Sequence, residues 1–298
     1  AYYQIPAKGK KKIKIAVLDL ISSIEVSAMA CKYYNKWAKE RGWEIQVFDL
    51  NANYAQAVPM MENIITAGYD GIIVNWTDFK YFAPQIMRAY KKGIPVQGVS
   101  CGAMAPGVVA QAVSAEIGFA ALSSQYLTTQ IKTGEKVLIV QDPRVATQRY
   151  RANTAKVTFE SYNIKIAQDL HWNGSGDPSQ SAYEMVKAAL LADAKKEIKG
   201  IWTGWEGYGL PAARAAHDMG RKDIVVVTCD DAPNTYKAIR EMPNLYATSG
   251  AGWSIPEWTN RLFRTFDMIF AGKPVKYQEL WFTLPDLLTN DNVPRHFN

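Results

Sequence analysis

Short apolar runs alternate with amphipathic stretches along this chain, and the pattern of the first half recurs in the second. Ile13–Leu20, Ile45–Leu50, Gly71–Trp76 and Pro95–Ser100 have the composition of strands, as do Val137–Asp142, Ile164–Leu170, Ile198–Trp205 and Ile224–Cys229. The segments between them have helical spacing, with Val26, Met29, Ala30, Tyr33 and Trp37 at i, i+3, i+4, i+7 and i+11. Alternation of this kind implies right-handed βαβ crossovers and parallel sheets. Because the strands are near-continuous apolar runs, helices are expected on both faces of each sheet. The expected fold is therefore α/β, with two doubly wound parallel-sheet lobes and a cleft between them. Ligands of such sheets sit outside the carboxyl ends of the strands.

The bulk numbers fit that architecture and exclude several others. A chain of 298 residues with 48% hydrophobic content is long enough for two cores. It has no apolar run of the roughly eighteen residues that a membrane span needs. Ala1 opens the chain with neither an initiator Met nor an apolar leader. That suits a mature secreted chain whose signal peptide has been removed, and equally a shortened one. The net charge of +6 owes part of its excess to the Lys8–Lys12 cluster ahead of the first strand. No aromatic or Arg-rich face accompanies that cluster, so it reads as a solvated tail and no nucleic-acid partner is expected. Three cysteines cannot form a disulfide framework. With no CxxC spacing and no Cys/His cluster, they read as small buried hydrophobes, and no metal or other cofactor is expected.

Breaks fall where Gly and Pro cluster. After the fourth strand, Cys101–Gly107 leads into a β-like run, Val108–Ser114, before a helix starts near Glu116. A strand that leads to another strand breaks the βαβ rhythm, as a crossing between lobes would. The rhythm restarts and runs to Gly250, after which Ile255–Phe270, with Leu262, Phe266 and Ile269 on one face, returns the chain. The boundaries read as 1–114 with 252–281 for the first lobe and 115–251 with 282–298 for the second. Crossings of this kind make a hinge able to close on a ligand, which solution scattering would register as a smaller radius of gyration in the bound state.

Gly98-Val-Ser100-Cys-Gly102 has the GxSxG form of a hydrolase nucleophile elbow, so an α/β hydrolase working from Ser100 or Cys101 is the reading from another class. The elbow needs a helix immediately after it, and Pro106-Gly107 opposes one. None of the histidines, His171, His217 and His296, has an evident orienting acid nearby. Gly204, Gly207 and Gly209 invert the spacing of the dinucleotide fingerprint, so close helix–strand packing is the expected reason for them. The aromatics and carboxylates at strand ends stand out more. Trp76, Trp172, Trp205 and Trp253 close or follow different strands, and Asp230 and Asp231 follow the eighth. Flat aromatic faces stack on the C–H face of a sugar or polyol, or on a cation. Carboxylates accept hydrogen bonds from hydroxyls.

These residues resemble the periplasmic sugar-binding proteins of the ribose-binding type, solute receptors of ATP-driven importers. The similarity is carried by Ile15-Ala-Val-Leu-Asp19 into the 25–41 helix, by Ala67-Gly-Tyr-Asp-Gly-Ile-Ile-Val-Asn75-Trp-Thr-Asp78, by Gly93-Ile-Pro-Val96, by Val225-Val-Val-Thr-Cys-Asp230 and by Ala271-Gly-Lys-Pro274. The resemblance implies a type I periplasmic binding fold, no catalysis, a periplasmic monomer and an inner-membrane ABC permease as partner. It implies ligand contacts at Ser22 and Glu25 on entry to the first helix, and at Arg149, Trp172, Trp205 and Asp230, with Trp253 near the position of a family Gln. Trp76 joins them as a strand-end aromatic. Where the family has an Asp-Arg pair, this chain has Ser100 and Cys101. A bidentate sugar clamp is thereby lost, and the ligand expected is a polyol or an unusual sugar. A small cation held between tryptophans and Glu25 or Asp230 is the alternative.

Overall fold

In a computed structural model, residues 1–9, 12–251 and 254–293 are described. The chain divides into two compact units, Ala1–Val113 with Trp253–Thr283 and Ser114–Gly252 with Leu284–Asn298. In chain order the first half holds β1 (Tyr2–Tyr3), β2 (Lys14–Asp19), α1 (Glu25–Arg41), β3 (Glu44–Asp49), α2 (Ala57–Thr66), β4 (Gly71–Asn75), α3 (Ala83–Lys91), β5 (Val96–Val99) and β6 (Val108–Ser114). The second half holds α4 (Glu116–Gln130), β7 (Lys136–Gln141), α5 (Ala146–Ser161), β8 (Lys165–His171), α6 (Pro178–Ala192), β9 (Ile198–Thr203), α7 (Glu206–Asp218), β10 (Val225–Cys229), α8 (Pro233–Glu241) and β11 (Leu245–Gly250). Then α9 (Ile255–Phe270), β12 (Val275–Lys276) and β13 (Glu279–Thr283) rejoin the first unit, and β14 (Asp286–Thr289) closes the second.

The first unit's sheet has the order β13-β6-β5-β4-β2-β3, and the second's is β14-β11-β10-β9-β7-β8. The pairings from β3 through β6 and from β8 through β11 are parallel, while β14 lies antiparallel on β11. Strand order reverses at β2 in one sheet and at β7 in the other. Crevices at such switch points, at the carboxyl ends of the strands, are where doubly wound sheets take ligands.

The near-continuous apolar strands have a simple cause. Side chains alternate across a sheet, so Ile15 and Val17 enter the cluster under α1 and α9, while Ala16 and Leu18 enter the one under α2 and α3. Both faces are dry, and both demand apolar residues. The α9 helix is tied to α1 by Phe263 and Phe266 in the shared core. At its edge Arg41 donates to Asp267 from Nε at 2.9 Å and from Nη2 at 2.8 Å.

The expected strands ending on Trp76 and Ser100 stop one residue earlier. Trp76 and Ser100 have φ of 50° and 48°, and Asp230, just after β10, has φ of 65°. Left-handed geometry in residues other than Gly is costly and concentrates at functional sites. Gly209 explains itself sterically: a Cβ there would lie 2.7 Å from Cβ of Thr228 on β10. Gly209→Ala is expected to cost about 1–3 kcal/mol through overpacking, read as a shift of the denaturant midpoint with unchanged slope.

Candidate functional site

In the second unit, charged side chains converge at the carboxyl ends of β7, β9 and β10. Arg151, only 3% exposed, donates to Asp230 from Nη1 at 2.5 Å and from Nη2 at 2.9 Å. It also donates from Nε to Glu116 at 2.5 Å and from Nη1 to the carbonyl of Gly204 at 3.0 Å. The ring of Phe119 lies 5.0 Å beneath the guanidinium. The backbone of Asp230 is held by β11, since its N–H donates to Ser249 O at 2.8 Å and its carbonyl accepts from the Thr248 hydroxyl. Its carboxylate remains a third exposed, so this edge of the network can accept from an incoming hydroxyl.

Burial pushes the Glu116 carboxyl up to about 7, against the opposing pull of Arg151. Burial, reinforced by Asp230 and Asp231, lifts Glu206 well above the carboxylate range. Asp231 accepts a hydrogen bond from the Tyr236 hydroxyl.

The arginine that reaches Asp230 is Arg151, while Arg149, expected as a ligand contact, is turned away from it for a geometric reason. The buried stripe of α5 runs through Gln148, Arg151, Ala152, Ala155 and Phe159 at helical spacing. Arg149 falls off that stripe, donating to the Pro143 carbonyl at 2.8 Å and lying over the Tyr150 ring. The stripe is visible in the sequence, and following its phase would have pointed to Arg151. Glu116 and Glu206 had no such signal, because each is a lone acid at a helix start. Trp205 is half-buried, edge-on to Tyr208 at 5.1 Å and lying over Gly207, where a Cβ would fall 2.3 Å from the indole. Trp172 is 6% exposed, with Nε1 donating to Ser175 O at 3.1 Å and the Arg144 guanidinium 5.3 Å from its ring.

In the first unit, Asp19 ends β2, fully buried, accepting from the Ser27 hydroxyl at 3.1 Å. Burial pushes it up to about 7, with the neighbouring Asp49 adding to the effect. Ser22 is drawn to Asp49, its N–H donating at 3.2 Å and its hydroxyl donating to the same oxygen. Glu25 opens α1 as an exposed acid in its first turn. Trp76 is half-buried against the α1–α9 core. Ser100 is buried with an Oγ that has no partner among the described residues.

Cys101 belongs to the core rather than to a ligand surface. It is fully enclosed in the α2–α3 cluster, its N–H donating to Gln111 Oε1 at 2.6 Å and its Sγ 3.1 Å from Val74 O. Burial raises its thiol far above the usual range, and raises those of Cys31 and Cys229 to about 12 and 11. None is a ready thiolate. After Ser100 the chain runs through 101–107 into β6 rather than into a helix, so the geometry of a nucleophile elbow is missing. Trp253 lies outside the described residues. Among the described residues no group of three or more His, Cys, Asp or Glu could hold a metal ion.

The sequence profile of a family described as a periplasmic binding protein domain matches residues 26–273. The chain is similar to the ribose import binding protein of Salmonella typhimurium, 22% identical over 209 residues, covering 69% of this chain and 68% of that protein. It is similar to the xylitol-binding protein of Mycolicibacterium smegmatis, 21% identical over 288 residues, covering 95% of this chain and 78% of that one. Among solved structures, an ABC sugar transporter subunit from Rhodobacter sphaeroides matches with a TM-score of 0.82 at 19% identity, over 94% of this chain and 99% of that one. An ABC transporter solute binding protein from Agrobacterium vitis with bound allitol matches with a TM-score of 0.84 at 20% identity, over 95% and 97%. At these identities the structural likeness speaks for the fold.

Proposed function

The chain belongs to the periplasmic binding protein domain family, and from that premise we propose that it is the solute receptor of an ABC-type importer for a polyol or sugar. The observation that carries the reading is Asp230, set in a left-handed turn and clamped by buried Arg151 with its carboxylate still open. A carboxylate fixed in this way accepts strong, oriented hydrogen bonds from hydroxyls. Trp205 and Trp76 supply half-buried indoles suited to the C–H face of such a solute. Ser22, Glu25 and Ser100 supply polar groups at the strand ends of the first unit.

The family is one of binding proteins, and its location is extracytoplasmic. Among the described residues no helix is long and apolar enough to cross a membrane. The receptor works in the periplasm as a monomer, hands its solute to an inner-membrane permease and breaks no bond.

Ribose, xylitol and allitol, the solutes named for the relatives and neighbours, are the first to screen by thermal shift. At a hundred times its dissociation constant, a true solute stabilises the protein by about 2.7 kcal/mol. Turnover of an ester substrate, with no shift from any sugar or polyol, would overturn the proposal.

The two tryptophans of the second unit are expected to part company in the same assay. Trp172→Ala removes a buried ring and is expected to cost about 3–5 kcal/mol of stability. Trp205→Ala is expected to weaken binding by about 2 kcal/mol while leaving the melt close to wild type. Calorimetric titration and a denaturant melt on both variants decide between the two roles.

A further inference from the structure

Glu206 is a buried acid with an unanswered atom. It is the first residue of α7 and 6% exposed, and its Oε2 has no partner among the described residues. Its place is set by the strand end beneath it. The Gly204 carbonyl accepts from Arg151, the Thr203 and Thr228 hydroxyls are hydrogen-bonded to each other at 2.7 Å, and Gly209 packs directly on Thr228. Glu206 is thus pinned beside the carboxyl end of β10. Asp230 and Asp231 face it from that turn and Arg151 from α5. From α8, Tyr236 is bonded to Asp231, and from α6 the Ser179 hydroxyl donates to the Gly207 carbonyl at 3.3 Å.

Arg151 already serves Glu116, Asp230 and Gly204 from Nε, Nη1 and Nη2. An ionised Glu206 would add another carboxylate beside one committed guanidinium, with its own backbone N–H set against burial and the neighbouring Asp230 and Asp231 carboxylates. A buried acid in that position keeps its proton.

Resting on the sugar or polyol reading, we propose that Glu206 meets the solute as a neutral carboxylic acid, its O–H donating to a solute oxygen and its C=O accepting from the adjacent hydroxyl. Ionised Asp230 can only accept, whereas a neutral acid presents donor and acceptor side by side. The pair matches neighbouring hydroxyls of a polyol and makes Glu206 a specificity residue, selecting solutes with two adjacent oxygens at that position. A small cation would require the opposite, a Glu206 that ionises on binding.

The test is calorimetric binding of ribose, xylitol and allitol to wild type, Glu206→Gln, Glu206→Ala and Asp230→Asn. An amide reproduces the donor and acceptor of a neutral acid. Glu206→Gln is therefore expected to bind within about threefold of wild type near pH 6, and Glu206→Ala at least about tenfold more weakly. The ratio of wild-type to Glu206→Gln dissociation constants is expected to rise, not fall, between about pH 6 and about pH 9, which cancels the titration of Glu116 common to both. The infrared C=O band of a protonated carboxyl is expected in the wild-type complex and absent, in the difference spectrum, from Glu206→Gln. That band keeps the test decisive if Glu206→Ala fails to fold.

A Glu206→Gln variant as weak as Glu206→Ala, or a ratio that falls with pH, overturns the neutral-acid role. Failure of the underlying reading is distinct: no probe then binds the wild type at all. In contrast, binding that is lost in Asp230→Asn and kept in Glu206→Gln supports both.

Discussion

Arg151→Ala is expected to destabilise the second unit by about 3–5 kcal/mol near pH 8 and to abolish solute binding. Breaking a buried ion pair by removing one partner strands the other charge without compensation. Here the stranded groups are Glu116 at 2.5 Å and Asp230 at 2.5 Å. The loss is expected to shrink on acidification, because Glu116 escapes by taking up a proton, more readily than in the wild type once the opposing pull of Arg151 is gone. Pairing Arg151→Met with Glu116→Gln is expected to recover part of the stability, since it neutralises the more buried of the two stranded carboxylates and leaves Asp230, a third exposed, to be solvated. Binding is not expected to return, because Asp230 loses the guanidinium that orients it. Urea melts at two pH values with calorimetric titration separate the effects. An Arg151→Ala protein as stable as wild type would show that the network is ornamental to the fold.

Stability is expected to rise, not fall, as pH is lowered from about 8 to about 5. Asp19 and Glu116 both sit near 7 in the folded protein, from ordinary values of 3.8 and 4.5. The folded state holds their protons more tightly than the unfolded one. The stabilisation is therefore complete below the unfolded values, lost as pH climbs towards 7, and absent above. Each group contributes on the order of 3 kcal/mol across that window. Asp19→Asn and Glu116→Gln are each expected to flatten part of the profile and to raise stability near pH 8 while changing little near pH 5. A wild-type profile that climbs with pH across this range would contradict the burial of both acids.

Much of the architecture was legible in the sequence because burial on two faces leaves a one-dimensional trace. Ile15-Ala-Val-Leu18 is apolar without alternation because the two clusters above and below β2 each take every second residue. The same logic exposes β6 as a strand following a strand. Asp230 was legible for a related reason: it follows directly on a run, Ile224–Cys229, that is apolar but for Thr228, so it had to emerge at a strand end.

What the sequence left open is where helical phase and long-range pairing decide. Arg149 and Arg151 are equivalent as letters, and only the packing of α5 turns Arg151 inward to meet a partner 79 residues on. Cys101 lies one residue beyond the strand-end position that Asp230 occupies on β10, and its side chain folds back under Val74 and Val99 while Gln111 holds its backbone N–H. The left-handed turns at Trp76, Ser100 and Asp230 carry no residue-type signature, since none is glycine. The proton held by Glu206 depends on carboxylates brought to it from a different strand end. Local propensity and periodicity are properties of neighbouring residues, and they suffice for elements. Charge state and side-chain direction depend on dielectric and distance in three dimensions, which only the assembled sheet supplies.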